Sequence, residues 1–270
     1  MQKNRIVIIG CTVLLTLITF LFRHQIVNKI QTGMLKNIGV SPFAPKIHHP
    51  AYNSTYYNHK IFSLNGVEKI FPHRVNSMER FQYLYSQFKG FECDIIIDPV
   101  HNVFYIAHDP EEASSLTWDH LLEKDDQKKM FWLDVKNLTV ENAGSFYRHI
   151  HLLDNKYDIK NRIIIESGNP VPLKQIADSG YLTSLYFPVI DSSKKLYSDS
   201  AVSLYIANTG GLISQDVFWL NLMNKNYPHK KKMIWDISFC TSLNSGLLRK
   251  YIADTTVLLS LINIKSPGYK

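Results

Sequence analysis

Residues 91–97 read Phe-Glu-Cys-Asp-Ile-Ile-Ile, a short apolar and β-branched run interrupted by two acidic side chains. A run of this kind favours a β-strand that is buried on both faces, as in a parallel sheet. Seven further runs resemble it in length and composition, and polar or amphipathic segments separate them. These seven are Val67–Pro72, Met130–Val135, Arg162–Glu166, Leu182–Val189, Gly211–Ser214, Lys232–Ile237 and Thr255–Ile262.

Helical segments are predicted between several of these strands. The clearest is Ser77–Lys89, in which apolar side chains recur on one face, with Asn76 as the predicted N-cap and Gly90 as the end. A short hairpin arm is predicted at Val103–Ile106. The remaining predicted helices are Val140–Leu153, Pro172–Ser179, Val217–Asn224 and Ser242–Tyr251.

The alternation of strands and helices predicts the fold class. Eight apolar strands that alternate with helices over residues 67–270 predict an α/β protein with a parallel sheet, in the form of a compact (β/α)8 TIM barrel. An open, doubly wound sheet is the structural alternative. In a barrel, catalytic side chains come from the carboxyl ends of the strands, so the polar residues at those ends are the first candidates for a functional site.

The composition is that of a folded globular protein: of 270 residues, 45% are hydrophobic and 20% are charged, with 12 Gly and 11 Pro. This excludes collagen-like and low-complexity chains. The net charge of +7 favours anionic partners such as phosphate-bearing lipids or a membrane surface. The three cysteines are far apart, which excludes zinc-type pairs and a disulfide framework and leaves at most one bond, between Cys93 and Cys240.

The N-terminal part of the chain contains a candidate membrane anchor. Residues 6–22 form an uncharged apolar run, near the short end of the range for a spanning helix. No small-residue cleavage site follows, so an uncleaved anchor is favoured over a removed signal peptide, and lipidation at Cys11 is a further alternative. We expect a tail at 1–5, a transmembrane anchor at 6–22 and a stalk at 23–66. The protein would then be a single-pass membrane protein of open orientation, whose barrel could lie outside the cytoplasm at the cell envelope.

Two acidic residues share one face of the second strand. Glu92 and Asp94 are two positions apart, so both side chains point to the same side. If that side is the barrel interior, two buried like charges repel and raise the pKa of one carboxyl group unless a cation lies between them. Divalent metal ions that prefer oxygen ligands meet this need.

The third strand repeats the pattern with Asp134 and Lys136. Asp134 would complete a three-carboxylate metal site, and Lys136 is a cation suited to a phosphate oxygen. His73 and Arg74 follow the first strand, and His108 follows the hairpin arm. Each motif alone has an ordinary structural explanation, but their order and spacing together indicate a catalytic site.

The order His-Arg, Glu-x-Asp, His-Asp, Asp-x-Lys resembles the signature of the glycerophosphodiester phosphodiesterase and phosphatidylinositol-phospholipase-like barrel superfamily, which includes sphingomyelinase D. The match covers Ile70–Lys136 and continues more weakly through the later strands. Asp134 in place of the usual Glu is the sphingomyelinase D form, and Val75 replaces the usual Gly. The segment His73-Arg74-Val75-Asn76-Ser77 is also similar to the start of the menorin family.

The resemblance implies a membrane-anchored phosphodiesterase that cleaves a glycerophosphodiester or a phospholipid-type phosphodiester. Its metal would be Mg²⁺, with Ca²⁺ as the alternative, and one histidine would take a proton while the other gives one. The implied roles are metal binding by Glu92, Asp94 and Asp134, acid–base catalysis by His73 and His108, phosphate binding by Arg74 and Lys136, and substrate stacking by Trp235, for which a core position is the other explanation.

Two other functions fit parts of the pattern. A non-catalytic barrel could keep the site to bind lipid or sugar phosphates, whereas a carboxylate-pair glycoside hydrolase would leave both histidines without a role. Nucleic-acid binding is not predicted, because the basic run His229-Lys230-Lys231-Lys232 is short and leads into a strand. The sequence indicates no particular protein partner.

Overall fold

The computed structural model describes residues 67–112, 115–187, 200–235, 251–264 and 266–267, all within one compact unit, His48–Lys270. The predicted tail, anchor and stalk lie outside the described residues, as do Cys11, Cys240 and residues 242–250 of the predicted helix Ser242–Tyr251. Cys93, the described member of the one conceivable disulfide, has a free and buried thiol.

All eight predicted strands are present, and the hairpin arm adds a ninth. The strands are β1 (Ile70–Pro72), β2 (Gly90–Asp98), β3 (Val103–Ile106), β4 (Met130–Val135), β5 (Ile163–Ser167), β6 (Thr183–Tyr186), β7 (Leu212–Asp216), β8 (Lys232–Trp235) and β9 (Val257–Ile262). The helices are α1 (Met78–Tyr85), α2 (Trp118–Leu122), α3 (Val140–Tyr157), α4 (Pro170–Asp178), α5 (Ser200–Asn208) and α6 (Leu220–Asn226). Short 3₁₀ turns lie at Val67–Lys69, Pro110–Glu112 and Val217–Trp219.

The nine strands form one curled sheet in the order β1-β9-β8-β7-β6-β5-β4-β2-β3. Every neighbouring pair is parallel except β2 and β3, which form the antiparallel hairpin. A doubly wound sheet has a point at which its strand order reverses; the parallel strands described here have none, which excludes that alternative. The sheet curls back on itself, so that β1 approaches β2. The evidence is a hydrogen bond between the two: the Val75 N–H, just after β1, donates to the Glu92 carbonyl oxygen of β2 over 2.8 Å.

Helix α1 begins one residue later than predicted. Its N-cap is Ser77, whose Oγ accepts a backbone N–H of the first turn over 3.1 Å, and not Asn76. The Asn76 side chain instead forms hydrogen bonds with Asp94. Gly90 does not end this helix but begins β2, where an added Cβ atom would lie 2.6 Å from the Met130 carbonyl oxygen, so that only glycine fits.

Apolar side chains cover both faces of the sheet. The interior layer contains Phe71, Trp132, Ile164, Leu212, Met233, Leu259 and Leu261. On the outer face, the Phe81 ring of α1 lies edge-on to Phe91 of β2, with centroids 5.2 Å apart. The Phe146 ring of α3 stacks on Phe104 of β3 at 4.9 Å. Burial on both faces is the reason that the strands consist of nearly continuous apolar runs.

The helices contradict the predicted single-pass membrane location. Within the described ranges, none is both long and apolar enough to cross a membrane. The 18-residue helix α3 fails because it is amphipathic and carries Glu141, Arg148, Asp154 and Lys156. The proposed anchor at 6–22 lies outside the described residues. Membrane attachment therefore has no part in the function proposed below.

Candidate active site

Polar side chains lie above the interior apolar layer, at the carboxyl ends of the strands. Because side chains alternate along a strand, a residue two positions after an inward-pointing one also points inward. Two residues beyond Phe71, Trp132, Ile164, Leu212, Met233 and Leu261 lie, in the same order, His73, Asp134, Glu166, Ser214, Trp235 and Asn263. We call this set, together with Glu92 and Asp94 of β2, the polar layer.

Three carboxylates of the polar layer converge on one point. Glu92, Asp94 and Asp134 each offer an oxygen atom, and these atoms all lie within 4.8 Å of one another. Asp94 and Asp134 are register partners on the adjacent strands β2 and β4, and Glu92 precedes Asp94 by two positions on the same face. Glu92 and Asp94 are buried, whereas Asp134 is partly exposed. The strand register thus places the acids together without any contribution from loops.

Lys136 lies among these acids. Its Nζ is 2.7 Å from Asp94 Oδ1 and 2.5 Å from Asp134 Oδ2. Burial raises the pKa of Asp94, but the Lys136 ammonium group outweighs this effect and holds that pKa below its usual value. Burial, followed by the charges of Asp94 and Asp134, raises the pKa of Glu92 well above its usual range. The single positive charge of Lys136 therefore does not balance the negative charges that the three carboxyl groups can carry.

The donor set suits a divalent metal ion that prefers oxygen ligands, such as Mg²⁺ or Ca²⁺. All three side chains supply carboxylate oxygens, and Glu92 Oε1 is buried without a hydrogen-bond partner among the described residues. A buried carboxylate oxygen without a partner is unfavourable, and a bound cation would stabilise it. The three acids fit either ion and do not distinguish between them.

His73 has a defined orientation beside the carboxylates. Its Nδ1 lies 2.8 Å from Asn263 Oδ1, and its Nε2 lies 3.8 Å from Glu92 Oε2. Because an amide oxygen only accepts hydrogen bonds, Nδ1 carries the hydrogen in this contact and Nε2 keeps its lone pair. Burial lowers the pKa of His73 to about 4, against the raising effect of Asp94, so the imidazole is neutral at pH 7.

The loop after β1 holds both acids of β2 in place. Arg74 adopts a left-handed backbone conformation (φ 58°), and its N–H donates to Glu92 Oε2 over 2.5 Å. Asn76 donates from Nδ2 to Asp94 Oδ2 over 2.6 Å and accepts the Asp94 N–H at Oδ1 over 3.1 Å. The left-handed residue is Arg74 and not Val75, so the backbone does not need a glycine at position 75.

His108 lies at the edge of the polar layer. Its Nδ1 is 2.9 Å from Asp109 Oδ2, and its side chain is 35% exposed. Burial raises the pKa of Asp134, and Lys136 and then His108 lower it in part. The Ala107 N–H, one residue before His108, donates to the Asp94 carbonyl oxygen over 3.1 Å, which places the His108 backbone beside the acidic strand β2. The imidazole therefore lies near the proposed metal ligands and is partly open to solvent.

Trp235 has the core position that was considered for it, while substrate stacking stays a prediction. It is partly buried and packs against the interior apolar layer. Its ring centroid also lies 5.9 Å from that of Tyr186, which ends β6. The indole therefore belongs to the core on one side and to the polar layer on the other.

The sequence did not identify three members of the site as such: Asn76, Glu166 and Asn263. Glu166 lies near the carboxyl end of β5 as the register partner of Asp134 of β4. The search for polar residues at the carboxyl ends of strands, which found Asp134, therefore also applies to Glu166. Its carboxyl group is buried, and burial followed by the Asp134 charge raises its pKa well above the usual range. Asn263 is 190 residues from His73, and no local pattern connects the two.

No family model matches the sequence, and neither does any curated protein. Solved structures do match. A glycerophosphodiester phosphodiesterase from Parabacteroides distasonis superposes with a TM-score of 0.51 at 16% identity, covering 72% of this chain and 92% of that one. A candidate glycerophosphoryl diester phosphodiesterase from Silicibacter pomeroyi gives 0.51 at 10% identity, covering 78% and 90%. A candidate glycerophosphodiester phosphodiesterase from Galdieria sulphuraria gives 0.50 at 13%, covering 73% and 93%.

These similarities confirm the resemblance at the level of the fold. The chain has the barrel-like fold of glycerophosphodiester phosphodiesterases, and its structural neighbours carry the name of the predicted enzyme class, the phosphoric diester hydrolases. The neighbours do not show features particular to sphingomyelinase D or to menorin. At these identities they define the fold alone, so the activity of this chain must follow from its own site.

Proposed function

We propose that this chain is a metal-dependent phosphodiesterase that hydrolyses a glycerophosphodiester or a phospholipid-type phosphodiester. The observation that carries the proposal is the convergence of three acidic side chains within 4.8 Å of one another. They converge at the carboxyl ends of the strands, where catalytic residues lie in barrel enzymes. The fold shared with glycerophosphodiester phosphodiesterases supports the same reaction class.

Glu92, Asp94 and Asp134 would hold the metal ion, with Mg²⁺ favoured and Ca²⁺ as the alternative. When bound, such an ion neutralises and polarises a phosphodiester as a Lewis acid. Lys136 and Arg74 would add positive charge against the non-bridging phosphate oxygens, and that charge is most effective where negative charge develops in the transition state. Lys136 is already oriented for this role by its two ion pairs.

His73 and His108 would divide the proton transfers. Neutral His73 accepts the proton of an attacking water molecule at Nε2, while the water oxygen forms a bond to phosphorus. His108, oriented by Asp109, gives a proton to the leaving alkoxide oxygen as its bond to phosphorus breaks. The products are a phosphate monoester and an alcohol, and the histidines regain their starting states by proton exchange with solvent.

A non-catalytic phosphate-binding barrel is the second candidate, and one observation favours it. Lys136 already pairs with both Asp94 and Asp134, so the site contains a cation of its own. A lipid or sugar phosphate could bind beside this ammonium group without being cleaved.

Hydrolysis assays on the purified full chain separate the two candidates. The substrates are glycerophosphocholine, glycerophosphoinositol and lysophosphatidylcholine, each with Mg²⁺ and with a chelator. We expect turnover that depends on Mg²⁺. His108→Asn should lower kcat by about 10²–10⁴ with Mg²⁺ affinity nearly unchanged, because its role is proton transfer. Asp134→Asn should weaken Mg²⁺ binding and turnover together.

Asp98→Asn is the matched control. Asp98 lies on the same strand as Asp94 but pairs with His101, outside the polar layer. This variant should keep the wild-type rate and Mg²⁺ affinity. Equal background rates in the wild type, His108→Asn and Asp134→Asn, with a folded and Mg²⁺-bound wild type, would favour the binding barrel instead.

A further inference from the structure

The pairing of β2 with β4 stops short of the end of β2. The register between the two strands ends at Ile95 and Val135, and the Lys136 N–H then donates to the Ile95 carbonyl oxygen over 3.0 Å. Strand β2 continues to Asp98. Buried main-chain N–H and C=O groups need hydrogen-bond partners, so the groups that β2 presents beyond Ile95 require a substitute for the missing strand.

The side chain of Asn137 provides this substitute. Its Oδ1 accepts the N–H of the buried residue Ile97 over 2.8 Å, and its Nδ2 donates to the Ile97 carbonyl oxygen over 2.9 Å. A side-chain amide offers both an acceptor and a donor, as a peptide group does, so it can replace one rung of the ladder. The main chain can therefore leave the sheet directly after Lys136 and still be fixed to β2.

Helix α3 holds Asn137 from the other side. Asn142, in the first turn of α3, donates from Nδ2 to the Asn137 carbonyl oxygen over 2.7 Å. Its Oδ1 accepts the N–H of the N-cap residue Thr139 over 2.8 Å, and the Thr139 hydroxyl oxygen accepts the Asn142 N–H over 3.3 Å. The loop from β4 to α3 is thus bonded to the sheet on one side and to the helix on the other.

Lys136 is the residue that this arrangement immobilises. Its own N–H is bonded to Ile95, and the side chain of the next residue is bonded to Ile97, so the main chain is fixed on both sides of its Cα atom. A lysine side chain is long and flexible, so the place that its Nζ reaches depends on the position and direction of the Cα–Cβ bond. Here Nζ lies 2.7 Å from Asp94 Oδ1 and 2.5 Å from Asp134 Oδ2.

We infer that Asn137 is a positioning residue for Lys136 and directs its ammonium group to the place where the phosphate group would bind, with Asn142 as a support. The inference rests on the proposed function, which assigns Lys136 to the non-bridging phosphate oxygens. The two side-chain hydrogen bonds described for Asn137 both go to Ile97, so its effect on the site passes through the main chain. Residues of this kind commonly hold the groups that contact a substrate.

A double-mutant cycle on the Mg²⁺-loaded full chain tests this role. The proteins are the wild type, Asn137→Ala, Lys136→Met and the double variant. The readouts are ethyl phosphate affinity by titration calorimetry and kcat/KM for the best substrate of the hydrolysis assay. Asn137→Ala should weaken ethyl phosphate binding about threefold to tenfold and lower kcat/KM about 10- to 100-fold. With Lys136→Met already present, it should change each quantity less than about twofold, because the group that it positions is gone.

Asn224→Ala is the matched control. The Asn224 amide also donates and accepts, since its Nδ2 donates to Asp254 Oδ2 over 3.3 Å and its Oδ1 accepts the Thr256 hydroxyl group over 3.0 Å. These bonds lie just before β9, at the amino ends of the strands and away from the polar layer. Asn224→Ala should lower the melting temperature, as Asn137→Ala should, but keep the wild-type phosphate affinity and kcat/KM.

Asn142→Ala provides a second variant that decides the question if Asn137→Ala does not fold. It removes the bond to the Asn137 carbonyl group and leaves both bonds to Ile97 in place. We expect a smaller loss of phosphate affinity and kcat/KM in the same direction. This loss should again disappear in the presence of Lys136→Met.

Three results would overturn the inference. Asn137→Ala could behave like the wild type, its loss could be equally large with and without Lys136→Met, or Asn224→Ala could cause the same loss. A wild type that neither binds ethyl phosphate nor cleaves any diester with Mg²⁺ refutes the proposed function and this inference with it. Binding without cleavage refutes the phosphodiesterase proposal alone, because the cycle in ethyl phosphate affinity still decides the role of Asn137.

Discussion

Single hydrogen bonds determine where the functional groups of the candidate site point. The Arg74 N–H fixes one oxygen of Glu92, and the Asn76 amide fixes one oxygen of Asp94. These contacts come from the backbone or from neutral side chains, so they hold the acids without neutralising them. The remaining carboxylate oxygens are left to face a cation, which is how a preorganised ligand set is expected to be built.

Asn263 should act as a positioning residue for His73. Asn263→Leu removes the acceptor at His73 Nδ1, so the imidazole loses its fixed tautomer and orientation. We expect kcat to fall by about 10- to 100-fold with little change in KM, as for other residues that orient a functional group. Asn263→Asp keeps an oxygen acceptor and should recover part of kcat. Steady-state kinetics that find the two variants equally slow would contradict the positioning role.

Glu166→Met should stabilise the metal-free protein at neutral pH. The pKa of Glu166 is raised well above its usual 4.5 by burial and by Asp134. Between those two values the folded protein binds a proton that the unfolded chain does not, so this residue makes wild-type stability fall as pH rises. The melting temperature of Glu166→Met should exceed that of wild type at pH 7.5, and the difference should shrink as pH falls toward 4.5. Thermal unfolding at several pH values measures this, and a difference independent of pH would contradict it.

Among the elements, helix α1 connects the segments that follow β1 and β9, which are neighbours in the sheet although they are its first and last strands in the sequence. Its buried Arg80 donates from Nη2 to the His73 carbonyl oxygen over 2.9 Å and from Nη1 to the Ile264 carbonyl oxygen over 2.6 Å. The guanidinium group therefore joins the segment after β1 to the segment after β9, next to the contact between His73 and Asn263. Since one planar group makes both bonds, the position of α1 also determines the position of His73.

The N-cap of α1 should contribute measurably to stability. Ser77→Ala removes the side-chain acceptor of the first turn and should lower the free energy of unfolding by about 1 kcal/mol. Ser77→Asp keeps an acceptor and should retain most of the wild-type value. Urea unfolding of the three proteins provides the measurement, and an alanine variant as stable as wild type would show that the cap hydrogen bond contributes nothing.

The sequence predicted the strands well and the helices less well, for a physical reason. A strand buried on both faces is a continuous apolar run, which is visible without knowledge of its neighbours. Helix α2 has only five residues, and α5 has apolar residues around most of its circumference, so neither shows the one-sided pattern that identifies a helix. Asn76 is a good capping residue by type, yet the long-range hydrogen bonds to Asp94 decided its role.

The same distinction applies to the site. The pairs Glu92–Asp94 and Asp134–Lys136 are visible because a spacing of two residues is a local property of a strand. The partner that His73 finds in Asn263 depends on the pairing of β1 with β9, which no local spacing shows. Recognition of Glu166 required the register of β5 with β4. Local pattern therefore predicts the candidate metal ligands, and only the fold reveals the residues that orient the candidate side chains.

In the molecule as a whole, two buried charge networks lie at opposite ends of the sheet. At the amino ends of β4 and β5, Arg162 Nη1 pairs with Asp125 Oδ2 at 2.6 Å and donates to the Lys129 carbonyl oxygen at 2.8 Å. The Tyr85 hydroxyl group donates to the other oxygen of Asp125 over 2.7 Å. In this network the positive charge of Arg162 balances the negative charge of Asp125. The polar layer at the carboxyl ends contains more acidic than basic side chains. Ion binding should therefore stabilise the molecule at one end only.

Magnesium should raise the melting temperature of the full chain. A ligand that binds only the folded state at a hundred times its Kd stabilises that state by about 2.7 kcal/mol. Asp134→Asn removes a charged ligand and should lose most of this effect, whereas Asp98→Asn should keep it. Thermal unfolding at increasing Mg²⁺ and constant ionic strength measures the shift. An equal shift in all three proteins would indicate that the ion acts elsewhere.

The contact between His73 and Asn263 has a consequence for protein synthesis. The ribosome adds His73 190 residues before Asn263, and Glu92, Asp94 and Asp134 are also complete long before β9 emerges. A nascent chain that ends at β8 thus contains every proposed metal ligand but has no partner for the imidazole and no Ile264 carbonyl group for Arg80. Such a chain could acquire its ion before it could turn over a substrate. Translation itself would therefore delay hydrolysis until Asn263 and Ile264 have been added.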